Sequence, residues 1–179
     1  ITEIEQGTNE DQRISNSITV PWLSINSIFN TRNEATSAPS DGLVRHIVFV
    51  DWQSNGTSPT LGELLDTTTG YTNGNYNMDY VPNRFGILYD DIIQIPTGSN
   101  TWNGATFSNG LGYKSKMIAL EGTEPIRLRY TGTGDNPSDI AEGAIWNMYL
   151  SQTANIRVGL AHRCHFVDGK HQELRSFFG

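Results

Sequence analysis

Ile156-Arg157-Val158-Gly159-Leu160-Ala161-His162-Arg163-Cys164-His165-Phe166 is the stretch whose reading decides the fold. Ile156, Val158, Leu160, His162, Cys164 and Phe166 point one way, and Arg157, Gly159, Ala161, Arg163 and His165 the other. Strict alternation over this length is the signature of a half-buried β-strand. The same period recurs in Ala144, Trp146, Met148 and Leu150, with Asn147 on the reverse face. It recurs again in Ile126, Leu128 and Tyr130, opposite Arg127 and Arg129. His46 to Trp52 is apolar on both faces, which predicts a central strand. A strand over Phe85 to Ile95 changes phase near Asp90-Asp91. In Ile14 to Phe29 the set Ile18, Val20 and Trp22 gives way to Leu23, Ile25 and Phe29 beside Pro21. A residue that cannot donate to a ladder, placed at a phase change, predicts a bulge or a sandwich corner.

Composition agrees. Gly, Asn, Thr and Ser together make up 66 of the 179 residues, a chemistry of turns and short strands. One short helix is expected at Thr60-Leu61-Gly62-Glu63, a capping-box pattern followed by Leu64 and Leu65. Long loops are expected at Thr31 to Asp41, Thr67 to Asn83, Thr97 to Gly112 and Thr131 to Glu142. Short and long connections together predict a Greek-key sandwich.

Twelve Lys and Arg against nineteen Asp and Glu give a net charge of -7, the wrong sign for an autonomous nucleic-acid binder. No apolar run reaches the roughly 20 residues of a membrane-spanning helix, so no membrane insertion is expected. The single cysteine, Cys164, excludes an intrachain disulfide and a multi-cysteine zinc site, with a lean toward a reducing compartment. There is no Gly-x-Ser-x-Gly elbow, phosphate loop or His-Glu-x-x-His, so the chain is not expected to be an enzyme. A sandwich-fold glycosidase stays open only because carboxylate separation is invisible in sequence.

An ordered series of motifs then carries a resemblance. Ile4-Glu5-Gln6-Gly7-Thr8 and Gln12-Arg13-Ile14 open it. Arg45-His46-Ile47-Val48-Phe49-Val50-Asp51-Trp52-Gln53-Ser54-Asn55-Gly56-Thr57-Ser58-Pro59-Thr60 follows, then Leu64-Leu65-Asp66 and Asn83-Arg84-Phe85-Gly86-Ile87-Leu88-Tyr89-Asp90. The series resembles the single jelly-roll capsid proteins of small circular single-stranded DNA viruses. It is also similar to plant satellite virus capsids of the satellite tobacco necrosis virus type. The resemblance implies one all-β domain over residues 1–179: an eight-stranded antiparallel jelly-roll sandwich with one short helix after strand C. It implies a structural protein of the virion that self-assembles, in the host nucleus or cytoplasm, into an icosahedral shell of sixty copies around a short single-stranded genome. Such capsids carry a basic arm that binds the genome. Here no basic residue precedes Arg13, so a basic arm before Ile1 is expected to be missing from this chain.

Four sets of candidate residues follow. Lys114 with Lys116, and Arg127 with Arg129, each share a strand face and are candidates to meet nucleic acid; the bland reading is a solvated face or subunit ion pairs. Asp90, Asp91, Asp135 and Asp139 are candidate oxygen ligands for calcium at a subunit junction, against the simpler reading of 135–139 as a capped turn. No other cofactor is expected. Tyr71, Tyr76, Tyr80 and Trp102 are candidate exposed loop contacts for a host receptor or neighbouring subunits. His162, His165 and His171 suggest a pH-sensitive interface, although His162 and His165 face opposite sides of one strand. A carbohydrate-binding jelly-roll module is the alternative from another class.

Overall fold

The computed structural model describes residues 1–9, 11–33, 42–69, 74–81, 83–95, 98–102, 105–119, 125–151, 156–168 and 171–178. Strands β1 (Ser17–Asn33), β2 (Gly42–Asp51), β3 (Phe85–Ile95), β4 (Gly98–Trp102), β5 (Ala105–Ala119), β6 (Ile126–Tyr130), β7 (Ile140–Glu142), β8 (Ala144–Ser151), β9 (Ile156–Asp168) and β10 (His171–Phe178) form two antiparallel sheets. The larger runs β10-β9-β1-β5-β4, with β6 beside the start of β1 and β7 beside β6. The smaller runs β3-β2-β8. The architecture is an all-β antiparallel sandwich, as the alternation predicts, of the jelly-roll kind that the resemblance implies, with ten strands among the described residues where eight are expected. Helix α1 (Leu61–Leu64) is the short helix expected after the second strand. Among the described residues no helix is long and apolar enough to cross a membrane.

β1 shows how the sequence builds the sandwich. Ile18, Val20, Leu23, Ile25 and Phe29 are all buried against the small sheet, although the residue count between Val20 and Leu23 breaks the alternation. The β1–β9 register shifts between Thr19 and Trp22, so the extra residue is absorbed in a bulge at Pro21. At the same point β1 changes partner on its other edge, from β6 (Ser17 to Val20) to β5 (from Trp22 onward). The bulge puts both apolar sets on one face. Trp22 is the exception to the expected grouping: it leaves the core and stacks on His165 outside the large sheet.

The main core lies between the sheets and joins β1, β5, β6 and β9 to Val48 and Val50 of β2 and Ile145 of β8. A second core lies on the other face of the small sheet, where Ile47, Phe49 and Phe85 pack under Leu64 of α1, Leu65 just after it, and Val81. Each such fully buried side chain contributes roughly 1.5–3 kcal/mol. β2 is therefore buried on both faces, as its unbroken apolar run predicts. On β8, Trp146, Met148 and Leu150 pack toward the helix layer, while Asn147 and Tyr149 face the large sheet.

Three local expectations are corrected. The segment Thr97 to Gly112, expected as a long loop, is largely the β4–β5 hairpin, with Trp102 opposite Ala105 at its end. The Thr131 to Glu142 loop closes in the short strand β7, and β1 runs two residues past Thr31. The phase change in β3 falls at Leu88, where the register with β2 slips between Val48 and Phe49, ahead of Asp90-Asp91. In the β4–β5 hairpin Gly, Asn, Thr and Ser, counted as loop formers, pair in an antiparallel ladder whose backbone hydrogen bonds need no apolar side chain.

The segment preceding β1 is tied down by one buried cation. The Arg13 guanidinium donates to the carbonyls of Ile4 (2.9 Å), Ser15 (3.0 Å) and Gly132, and lies 3.9 Å from the centroid of the Tyr130 ring. Burial pushes its pKa down, and Tyr130, Asp139 and Asp168 push it back up. Ile4 enters the main core beside it.

Candidate functional site

The sandwich interior becomes polar along one edge. His46 of β2, only 1 % exposed, faces the large sheet between Asp91 of β3 and Tyr149 of β8, its partners in register. The His46 ring stacks on Tyr149 and meets Tyr89 edge-on. Its Nε2 lies 3.3 Å from Asn147 Oδ1, and its Nδ1 has no partner. Tyr149 shares a 2.8 Å hydrogen bond with the buried Ser27 of β1. From β5, Lys114 reaches across to Asp91 (2.7 Å), which also accepts from Tyr89 (2.8 Å). Lys116, on the same face, lies over the Tyr89 ring. The Lys114 and Tyr89 hydrogen bonds hold the Asp91 carboxyl below its usual range against the opposing effect of burial. Burial pushes His46 down, outweighing the bond to Asn147 and the carboxylates of Asp91 and Asp90.

The four basic candidates therefore separate. Lys114 and Lys116 stand opposite Ser27 and Ile25 on the inner face of the large sheet, where they bind β3. Arg127 and Arg129 stand opposite Thr19 and Ser17 on its outer face, where both are exposed. Arg129 pairs with Glu142 (2.6 Å), and the positions of Arg163 and His165 on β9 share that outer face. The sequence shows the two-residue spacing of each pair; only the register shows that the pairs lie on opposite sides of one sheet.

The acidic candidates separate too. Asp90 and Asp91 point to opposite faces of β3. Asp90 takes both ends of the Arg45 guanidinium (2.8 and 2.6 Å) and the Tyr76 hydroxyl. Burial works to raise Asp90, but Arg45 and Tyr76 outweigh it and hold it below the usual carboxylate range. Asp139 accepts from the Asn136 amide (3.1 Å) and closes the 136–139 turn. Among the described residues no three His, Cys, Asp or Glu gather as metal ligands.

Of the loop contacts, Tyr71 lies outside the described residues. Tyr80 is exposed. Tyr76 lines a polar cleft of about 510 Å³ with Asp66, Asn75, Asn77 and Asp79. Trp102 is a strand residue in β4. Sequence reasoning missed Arg84, whose guanidinium donates to Asp51 (3.0 and 2.8 Å) and Glu63 (2.5 Å), joining α1 to the end of β2. Asp51 is 1 % exposed. A lone Arg after a turn gives no sign in sequence of such a partner.

No protein-family model matches the chain. The coat protein of Maize white line mosaic Satellite virus is 25 % identical over 119 residues, which cover 65 % of this chain and 47 % of that protein. The matched region thus spans about half the length of its curated relative. A chain that folds as an all-β jelly-roll sandwich is thus similar over 119 residues to a satellite-virus coat protein.

Proposed function

We propose that the chain is a structural capsid subunit whose work is self-association, and that copies of it close an icosahedral shell of sixty around a single-stranded genome. The observation that carries this reading is the coat-protein likeness over residues that fold as a jelly-roll sandwich. A rigid sandwich suits the task. Its two cores fix the strands, while loops at the sandwich ends are free to meet neighbours around symmetry axes. The protein acts in the virion, by assembly and not by turnover. As one jelly-roll domain with a net charge of -7, it needs a locally cationic face or an arm to hold nucleic acid inside the shell.

The test is negative-stain electron microscopy of the purified chain with light scattering. Uniform closed shells are the expected result, and their ratio of absorbance at nucleic-acid and protein wavelengths reports the packaged genome. A strictly monomeric protein at every salt concentration, with and without calcium, refutes the reading for this chain. One observation favours the carbohydrate-binding alternative: the open cleft beside α1, with its amides, carboxylates and the Tyr76 ring. A monomer whose tryptophan fluorescence changes on adding simple sugars moves that alternative to first place.

A further inference from the structure

The outer face of the large sheet carries no covering layer among the described residues. Ile28, Tyr113 and Met117 on it are 49 %, 66 % and 66 % exposed. Ile28 and Tyr113 are direct cross-strand partners, and Met117 stands opposite Ser24. The described charged residues on this face are Arg127, Arg129 and Arg163 with one carboxylate, Glu142. The layer beyond the small sheet has the reverse balance. Asp51, Glu63, Asp66, Asp79 and Asp90 lie there, and its two guanidinium groups, Arg45 and Arg84, are engaged by three of those carboxylates. Charge is thus divided across the thickness of the sandwich, in a chain whose total is acidic.

We infer that the outer face of the large sheet is the surface that receives single-stranded nucleic acid. This inference rests on the coat-subunit reading and names the partner's side of it. Guanidinium groups spread over a flat sheet meet backbone phosphates without selecting sequence. Tyr113 offers a base an exposed ring. Its hydroxyl donates to Asn26 Oδ1 (3.3 Å), which also accepts from Ser115 (2.8 Å), so the side chain is tethered beside Ile28. Three of the four described charged groups here are cationic, which favours a polyanion over a second protein surface. Lys114 and Lys116 take no part, because they lie on the inner face and bind β3.

The test uses the full chain and fluorescently labelled oligodeoxythymidine and oligouridine in anisotropy titrations over a range of salt. With three guanidinium groups engaged, affinity falls with salt at a log–log slope of about -2. Arg127→Gln removes one contact and lowers affinity about five-fold near ~0.1 M salt. Tyr113→Ala lowers it about ten-fold. Both positions are exposed, and unchanged melting temperatures establish that the variants fold. Arg127→Glu combined with Asp79→Lys keeps the net charge while moving it between faces. Affinity that stays at the Arg127→Glu value supports this face; recovery to the wild-type value overturns the inference, because net charge then governs binding. Salt-sensitive self-association lost in Arg127→Glu, without oligonucleotide binding, overturns it in favour of a second copy of this chain. Shells that hold undiminished nucleic acid in Arg127→Gln and Tyr113→Ala sink this inference and leave the coat reading standing. Oligonucleotide binding on this face by a chain that never forms shells sinks the coat reading alone.

Discussion

Mild acid is expected to loosen the sandwich through His46. Its Nε2 is engaged by Asn147 and its Nδ1 has no partner, so a second ring proton would be a buried donor with nothing to accept it. The groups facing the ring are Asp91 and Tyr89 from β3, Asn147 and Tyr149 from β8, and Lys114 from β5, with Ser27 of β1 behind Tyr149. Asp91 and Asp90 favour the charged ring, Lys114 opposes it, and burial decides the sign downward from the ordinary histidine value of 6.5. A base whose pKa is depressed on folding binds its proton better in the unfolded chain. The stability it contributes is therefore present above about pH 6.5 and is lost as the pH falls toward the folded value. One extra proton taken up on unfolding changes stability by at most about 1.4 kcal/mol per pH unit. For a chain of this size that moves the melting temperature by roughly 3–5 °C per pH unit. His162, which burial pushes down to about 4, adds a background of the same sign. The assay is the melting temperature between about pH 7 and pH 5 for the wild type and His46→Gln. Gln cannot gain a proton, so the variant should show the shallower slope whatever its packing does to the absolute value. Equal slopes would refute the reasoning.

Arg84→Ala leaves Asp51 buried without its partner and should cost about 3–5 kcal/mol in urea unfolding. Gly143 has φ +82° and a Cβ built there lies 2.3 Å from the Arg127 carbonyl oxygen, so Gly143→Ala should melt lower than wild type by more than the roughly 1–2 kcal/mol of backbone strain. Gly56→Ala, at φ +81° with only ordinary contacts, should show the backbone cost alone. The buried Cys164 thiol, pushed up to about 12 by burial, should react with a disulfide reagent only in denaturant.

The strands were legible because burial writes a period of two into the chain. Cys164 and Phe166 are buried, and His162 and His165 fall on opposite faces, as their spacing requires. The bulge at Pro21 was legible because a phase change coincided with a residue lacking an amide proton. The β4–β5 hairpin was not, because Thr, Asn, Ser and Gly form ladders through their backbones and leave no apolar signal. Charge partners were not legible at all. Neighbours in sequence, Asp90 and Asp91, serve different sheet faces, and Lys114 finds its partner only where the two sheets meet. The Arg127 and Arg129 face could be written down from spacing, but its opposition to the Lys114 and Lys116 face required the register.

The central place of β1 also sets a timetable for folding. Its neighbours β5, β6 and β9 all come later in the chain, and Ile18 waits for Asp168. Loop closure of that span must precede the reward of its contacts, so folding should be slow for the size of the domain. During synthesis one edge of β1 can pair with β5 and β6, but the other stays open until β9 has left the ribosome, and an open edge recruits other chains. If the chain assembles with its own copies as proposed, it has to complete β9 before its surfaces are safe to present.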